Sequence, residues 1–219
     1  GNKKLNIFGG KYTIQKSEEG LFHKLYFKKV FNDEKYEFMT EKQLTNDGPI
    51  LVDLDFRYKK EVEERLHTAD HIFDIINIYL EELSKILNIT EKPIPVFALE
   101  KDEPNLLDDI TKDGIHLIFG ISLNRTLQII LREKVLIRID DVLGELPLTN
   151  DNELIIDKGI CYGYTNWQMF GSRKPAHDAY KLTKYYECQQ KNNKWIFKIK
   201  KIKINCKLLK LISARNDSH

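Results

Sequence analysis

Apolar and polar positions follow several distinct rhythms along this chain, and each rhythm predicts an element. Ile50-Leu51-Val52-Asp53-Leu54-Asp55-Phe56 has the β-branched and aromatic content of a strand, with two aspartates two positions apart. Side chains alternate along a strand, so Asp53 and Asp55 share one face, about 7 Å apart. Val62, Leu66, Ala69, Phe73, Ile76, Leu80, Leu83 and Leu87 recur at three- and four-residue steps and predict one helix over 61–87. Glu61, Glu63 and Glu64 would lie in its first turn, where the helix dipole favours acids. His67 and His71, four apart with no third ligand in view, read as residues of its polar face. Val96-Phe97-Ala98-Leu99 and Ile115-His116-Leu117-Ile118-Phe119 predict two more strands, the second after a turn at Lys112-Asp113-Gly114. Residues 122–143 predict a second helix.

Residues 5–38 read as strands and turns. Gly9-Gly10 separates Ile7-Phe8 from Tyr12-Thr13-Ile14, and Asn32-Asp33-Glu34 separates Leu25-Tyr26-Phe27 from Tyr36-Glu37-Phe38. Leu154-Ile155-Ile156-Asp157 reads as a further apolar strand ending on an acid, with a turn residue as the other reading of Asp157. An aromatic segment, 162–170, closes on Gly171-Ser172-Arg173-Lys174. Trp195 to Ile204 alternates apolar residues with Lys, which predicts a half-buried strand with a basic outer face. Together these elements predict one compact α+β unit of two lobes, with a seam near 105–115.

Composition narrows the class. Of 219 residues, 42% are hydrophobic and 31% charged, which fits a folded globular chain and excludes a disordered one. No apolar run approaches the ~20 residues of a membrane-spanning helix. Gly1-Asn2-Lys3-Lys4 leads into Leu5 and Phe8 without an apolar core, so no signal peptide is expected. Gly in first place is consistent with a piece of a longer protein. The net charge of +2 hides a local excess: residues 194–210 carry seven lysines and no acid. Lys198, Lys200 and Lys203 in that strip either bind nucleic-acid phosphates or keep a sheet edge soluble. Cys161, Cys188 and Cys206 fit no zinc spacing, and neither a zinc site nor a disulfide is expected.

Two aspartates on one face of an apolar strand repel each other and resist burial unless something compensates. A divalent cation with oxygen ligands is one compensation; an exposed edge strand with two solvated acids is another. Asp157 supplies a third carboxylate, His116 a histidine on a fourth apolar strand, and Ser172-Arg173-Lys174 a basic turn. Three carboxylates, a histidine and a basic turn are the parts of a nucleotidyl-transfer site. Each part alone has a plainer explanation, and the order in which they occur is the stronger signal.

That order resembles the three motifs of archaeo-eukaryotic primases: Asp-x-Asp, a small residue-x-His, and an apolar residue followed by an acid. Gly48 to Tyr58, Asp113 to Phe119 and Phe170 to Pro175 resemble the primase module of primase–helicases from nucleocytoplasmic large DNA viruses, such as poxviruses and African swine fever virus. The likeness extends over about residues 5–216. It implies a two-lobed core with an RRM-like (ferredoxin-like) sheet and a catalytic cleft between the lobes. Asp53, Asp55 and Asp157 would hold Mg²⁺ or Mn²⁺. His116 would contact the phosphates of an incoming nucleoside triphosphate, with Ser172, Arg173 and Lys174 close by. Single-stranded DNA would be the template. The host cytoplasm would be the setting, and the full-length protein would carry a helicase domain, which is absent here, since this sequence has no G-x-x-x-x-G-K-[ST] loop. Two positions depart from the pattern: Gly114 stands where many relatives have Ser, and Gln168 where others place Arg. A non-catalytic RRM-like nucleic-acid-binding module and a metal-dependent nuclease are the competing classes. The first leaves Asp53 and Asp55 unexplained, because acids repel phosphates.

Overall fold

The computed structural model describes residues 9–89 and 92–217; the strand expected at Ile7-Phe8 lies outside them. Among the described residues there are eight strands: β1 (Thr40–Glu41), β2 (Gly48–Lys59), β3 (Ile94–Glu100), β4 (Asn105–Leu106), β5 (Ile110–Leu123), β6 (Trp167–Gln168), β7 (Lys181–Lys191) and β8 (Lys194–Ile199). The helices are α1 (Glu19–Phe27), α2 (Ala69–Ile86), α3 (Arg125–Leu136), α4 (Asp140–Leu143), α5 (Asn152–Ile155), α6 (Lys158–Cys161) and α7 (Cys206–Leu211). The main sheet is antiparallel, in the order β2-β5-β3-β7-β8, with β4 on β5. The run β2-α2-β3-β5-α3 alternates strand, helix, two strands and helix, and β7 joins the sheet beside β3, not beside β2. The fold is α+β, as the sequence predicts.

The sheet has two differently covered faces. Val52, Leu54 and Phe56 on one face pack with Ile75, Leu80 and Leu131 of α2 and α3. On the other, Leu51, Phe97, Leu99 and Ile118 pack under α1, β6, α6 and α7, with Tyr26, Trp167, Phe170 and Leu208. This second layer covers only part of its face. Along β2, residues 48–52 are buried on both sides, and then Asp53, Asp55 and Arg57 are half-buried while Leu54, Phe56 and Tyr58 stay buried. The change from a continuous apolar run to strict alternation marks where the cover stops. The cleft opens there.

Several expected elements form elsewhere. Residues 61–68 are not helical. Helix α2 begins at Ala69 because Thr68 and His71 close a reciprocal cap: Thr68 accepts from the Asp70 N–H, and His71 accepts from the Thr68 N–H at 3.1 Å. His67 lies before the helix with its side chain wholly buried, 2.9 Å from Glu100, and His71 is also buried, 3.0 Å from Glu145. Neither belongs to a polar face. Residues 19–27 form a helix that continues into a wider turn at Lys28–Asn32, not a strand. There Tyr26 and Phe22 turn inward while Leu25 stays exposed, a helical spacing hidden in the run Leu25-Tyr26-Phe27. Lys112-Asp113-Gly114 lies inside β5 and forms no turn. The sequence places a lobe seam at 105–115; β4 and the first half of β5 occupy that stretch, and β5 runs through it unbroken. Of the predicted helix over 122–143, Leu123 ends β5, Asn124 caps α3 by accepting from the Leu127 N–H, and α4 follows separately. Strand β8 ends at Ile199, so Lys200 and Lys203 lie beyond it. The chain leaves the sheet edge there and buries Ile202 against the second layer.

Strand β1 is tied to the C-terminal segment through Glu41, whose carboxylate accepts from the Ser213 hydroxyl and from the Ala214 N–H. Burial pushes this carboxyl up to about 7 against the ordinary 4.5, although those two hydrogen bonds oppose the shift. A folded-state value above the unfolded one means that the fold favours the protonated acid. Stability is then fully present below about pH 4.5 and declines as pH rises to 7. Glu41→Gln, which cannot ionise, is expected to outlast the wild type in urea at pH 8 by ~2–3 kcal/mol and to match it at pH 4.5. Parallel pH profiles for the two proteins would contradict this.

Candidate active site in the cleft

Register builds the centre of the site. Across the β2–β5 ladder Asp53 sits opposite His116, and Asp55 opposite Gly114. His116 Nε2 lies 3.4 Å from Asp53 Oδ1. The imidazole is buried between two rings: Tyr180 stacks on it at 3.6 Å and 18°, and Trp167 lies tilted at 4.4 Å. These contacts fix the ring plane, and so fix where its nitrogens point. Burial works to raise the Asp53 carboxyl, but His116, Lys174 and Lys101 together hold it below the ordinary carboxylate range. Asp53 therefore stays ionised at neutral pH.

Asp55 accepts two hydrogen bonds from Arg57, at 3.0 Å from Nε and 2.9 Å from Nη2, and Lys112 Nζ lies 3.6 Å away. Asp55 and Arg57 share a strand face, which makes this pairing local. Gly114 has no room for a side chain: a Cβ there would lie 2.4 Å from the Leu54 carbonyl oxygen and 3.4 Å from the Tyr180 hydroxyl. A serine at 114 would force the Leu54 backbone to shift.

Asp157 reaches the same place by another route. Ile156 bridges to Leu54, and the Asp157 N–H donates to the Asp53 carbonyl at 2.9 Å. It is not on a strand: Asp157 is the N-cap of α6, where its Oδ1 accepts from the N–H groups of Gly159 and Ile160 at 2.6 and 3.2 Å. That leaves Oδ2 without a helix partner. The buried Arg132 fixes this segment, donating to the carbonyls of Ile156 and Glu153 and to the Glu153 carboxylate.

The basic turn divides. Ser172 is buried, 2.7 Å from the Tyr26 hydroxyl, and accepts from the Met39 N–H; it holds the second layer together. Arg173 lies with its Cζ 3.9 Å from the centre of the Tyr36 ring and its Nη1 3.7 Å from Asp178. Its buried Nε–H has no hydrogen-bond acceptor among the described residues. An orphaned guanidinium donor of this kind suits an anionic ligand. Lys174 is close enough to Asp53 and Lys101 to act on both. Gln168 donates to the Met39 carbonyl and is committed to the β1–β6 pairing. Lys198 is exposed on β8, and Lys200 pairs with Glu187 at 3.1 Å. Strand β8 is four places from β2 in the sheet, roughly 19 Å at ordinary strand spacing.

Sequence reasoning missed Lys101 and Tyr180. Lys101 follows β3 directly, places its Nζ 5.3 Å from the centre of the Tyr180 ring, and is held below the usual lysine range by burial and by Lys174. The Tyr180 hydroxyl is pushed well up by burial and by the nearby carboxylates, so it remains a neutral donor. The one available signal was position: Lys101 ends an apolar strand next to the aspartate strand's partner.

Among the described residues no three His, Cys, Asp or Glu side chains converge closely enough to hold a metal ion by themselves. Asp53 and Asp55 offer hard oxygen donors that are 27% and 30% exposed to the cleft. Two carboxylates completed by substrate phosphates and water suit Mg²⁺ or Mn²⁺, so the donor set fits such an ion once Arg57 releases Asp55.

Residues 1–186 match the family described as "C962R protein N-terminal AEP domain". A protein of Acanthamoeba polyphaga mimivirus, "Putative helicase L207/L206", is 32% identical over 168 residues; the match covers 75% of this chain and 17% of that protein. The chain therefore spans a small part of that relative's length. No described helix is long and apolar enough to cross a membrane.

Proposed function

The chain belongs to the archaeo-eukaryotic primase (AEP) family as a viral primase-type module, and on that premise we propose that it is a template-dependent nucleotidyltransferase making primers on single-stranded DNA. The observation that carries this reading is the β2–β5 pair, which sets Asp53 against His116 with Asp55 beside them, all at the open end of a half-covered sheet face. In this reading Asp53 and Asp55, completed by substrate phosphates and water, would hold Mg²⁺ or Mn²⁺, and the uncapped oxygen of Asp157 would be a further ligand if it moved toward them. The bound ion supplies Lewis-acid activation of a hydroxyl and neutralisation of phosphate charge. His116, fixed by Tyr180 and Trp167, points a ring nitrogen at the triphosphate. Arg173 Nε–H, Lys174 and Lys101 take up charge that develops on the leaving pyrophosphate. A helicase domain in the full-length protein is part of the same proposal, in line with the printed name of the mimivirus relative.

Calorimetric titration of Mn²⁺ with and without a nucleoside triphosphate tests the site. Binding that needs Asp53 and tightens when triphosphate is present is the expected result. Triphosphate binding indifferent to the ion and to Asp53→Asn would overturn it.

His116→Ala is expected to lower kcat/KM for nucleotide by roughly ten- to a hundredfold, the loss of one charge-assisted hydrogen bond of about 1.5–3 kcal/mol. The check is steady-state kinetics alongside thermal melting. A variant that melts far earlier with an unchanged kcat/KM would show that the stacked histidine only fills space.

A further inference from the structure

A groove of about 2250 Å³ is lined by residues 9–16, α1 and the segment around α7, and also by Lys174 and His177. The groove borders the candidate active site: Thr40 and Glu41 on its wall pair with β6, whose Trp167 lies 4.4 Å from His116. Its charge is lopsided once internal pairs are removed. The four acids on its walls are occupied: Glu19 and Asp217 pair with Lys16 at 3.4 and 3.0 Å, Glu37 pairs with Lys29, and Glu41 holds Ser213 and Ala214. Lys42, Lys174, Lys207 and Lys210, on the same walls, are in no ion pair among the described residues. Lys207 and Lys210 are exposed on α7, three residues apart and so on one side of it. Tyr12, also on the groove, is 84% exposed and offers an accessible aromatic ring. A positive channel with an accessible ring is the chemistry that takes single-stranded nucleic acid, through phosphate neutralisation and base stacking.

We propose that the single-stranded template lies in this groove, crossing Lys207 and Lys210 and passing Lys174 and His177 to reach Asp53. The inference rests on the polymerase reading and adds the path of the template to it. Within the lysine run 194–210 it favours Lys207 and Lys210 of α7 over Lys198, which is on β8 at the far sheet edge, and over Lys200, which is paired with Glu187.

The test is binding of a labelled oligothymidylate to the full chain across a salt series. Lys207→Gln/Lys210→Gln is compared with Lys198→Gln/Lys200→Gln/Lys203→Gln. All five side chains are exposed, so both variants should fold, which melting confirms. The groove variant is expected to bind more weakly and to reduce the salt slope by about 1.4, two phosphate contacts at roughly 0.7 each. It should keep the wild-type affinity for Mn²⁺-triphosphate. The strip variant should keep the wild-type slope. An unchanged slope in the groove variant, or a flattened slope in the strip variant alone, overturns the path. So does lost triphosphate affinity in a groove variant that still binds oligothymidylate normally, since the groove would then serve the nucleotide. If the wild type extends primers while any of these holds, the path fails and the polymerase reading stands. If the wild type extends nothing, the polymerase reading has failed first.

Discussion

Asp53→Ala is expected to abolish primer synthesis, by a thousandfold or more on the scale of lost electrostatic stabilisation of about 4 kcal/mol, while the protein stays folded. The side chain is 27% exposed at the cleft, packs against no apolar core, and has His116 as its near partner at 3.4 Å. Its removal leaves a partly solvated histidine–aspartate contact unmade, a change worth about 1 kcal/mol or less. Asp55→Ala should behave alike in synthesis, and it frees Arg57 from its bidentate contact. Melting together with a gel-based synthesis assay checks both statements. Synthesis at the wild-type rate in either variant would remove these carboxylates from the metal-binding role.

The largest effect on stability is expected on the helix-covered face of the same strands. Arg65 donates to both oxygens of Asp113, at 2.8 and 3.0 Å, and to the Lys101 carbonyl, and it lies 3.5 Å from Glu100. His67 sits between the two acids, 2.9 Å from Glu100 and 3.4 Å from Asp113, whose side chain is 1% exposed. Arg65→Met keeps most of the aliphatic packing but leaves two buried carboxylates with one imidazole. Breaking a buried pair from one side costs about 3–5 kcal/mol. Denaturant unfolding at neutral pH should show a loss of that size, and a change under about 1 kcal/mol would mean that solvent reaches the network. Glu100 adds a pH signature. Burial works against its charge, but His67, Thr183 and Arg65 hold its carboxyl below the ordinary value. Its contribution is therefore present above the unfolded value and is lost as pH falls through the folded one.

What was legible in the sequence follows from how local each signal is. Asp53 and Asp55 could be placed on one face because alternation along a strand depends only on neighbours in the chain. His116 is joined to them by the order of the motifs and the family resemblance, and the β2–β5 register sets it opposite Asp53. The start of α2 was less legible: Val62 and Leu66 fall in helical phase with Ala69, yet the Thr68–His71 cap and the pull of Asp113 and Glu100 on Arg65 and His67 decide the boundary. Tertiary pairing overrode periodicity there. Asp157 looked like the end of a strand because Ile155 and Ile156 are apolar; its role as a helix cap depends on the Gly159 and Ile160 N–H groups that follow. Lys101, Tyr180 and Arg132 carry no pattern of their own. Each becomes meaningful only when β3, β7 or α3 brings it to the cleft or its support. The lysine run 194–210 has the same limit: charge along the chain does not tell which of its members end on β8 and which on α7.

Primer–template incubated with this chain, Mg²⁺ or Mn²⁺ and nucleoside triphosphates, and followed by product length, tests the central claim most directly. The account predicts metal-dependent, template-directed extension that Asp53→Ala removes. Shortened strands, or strands retained unchanged on a protein that only binds them, would contradict it.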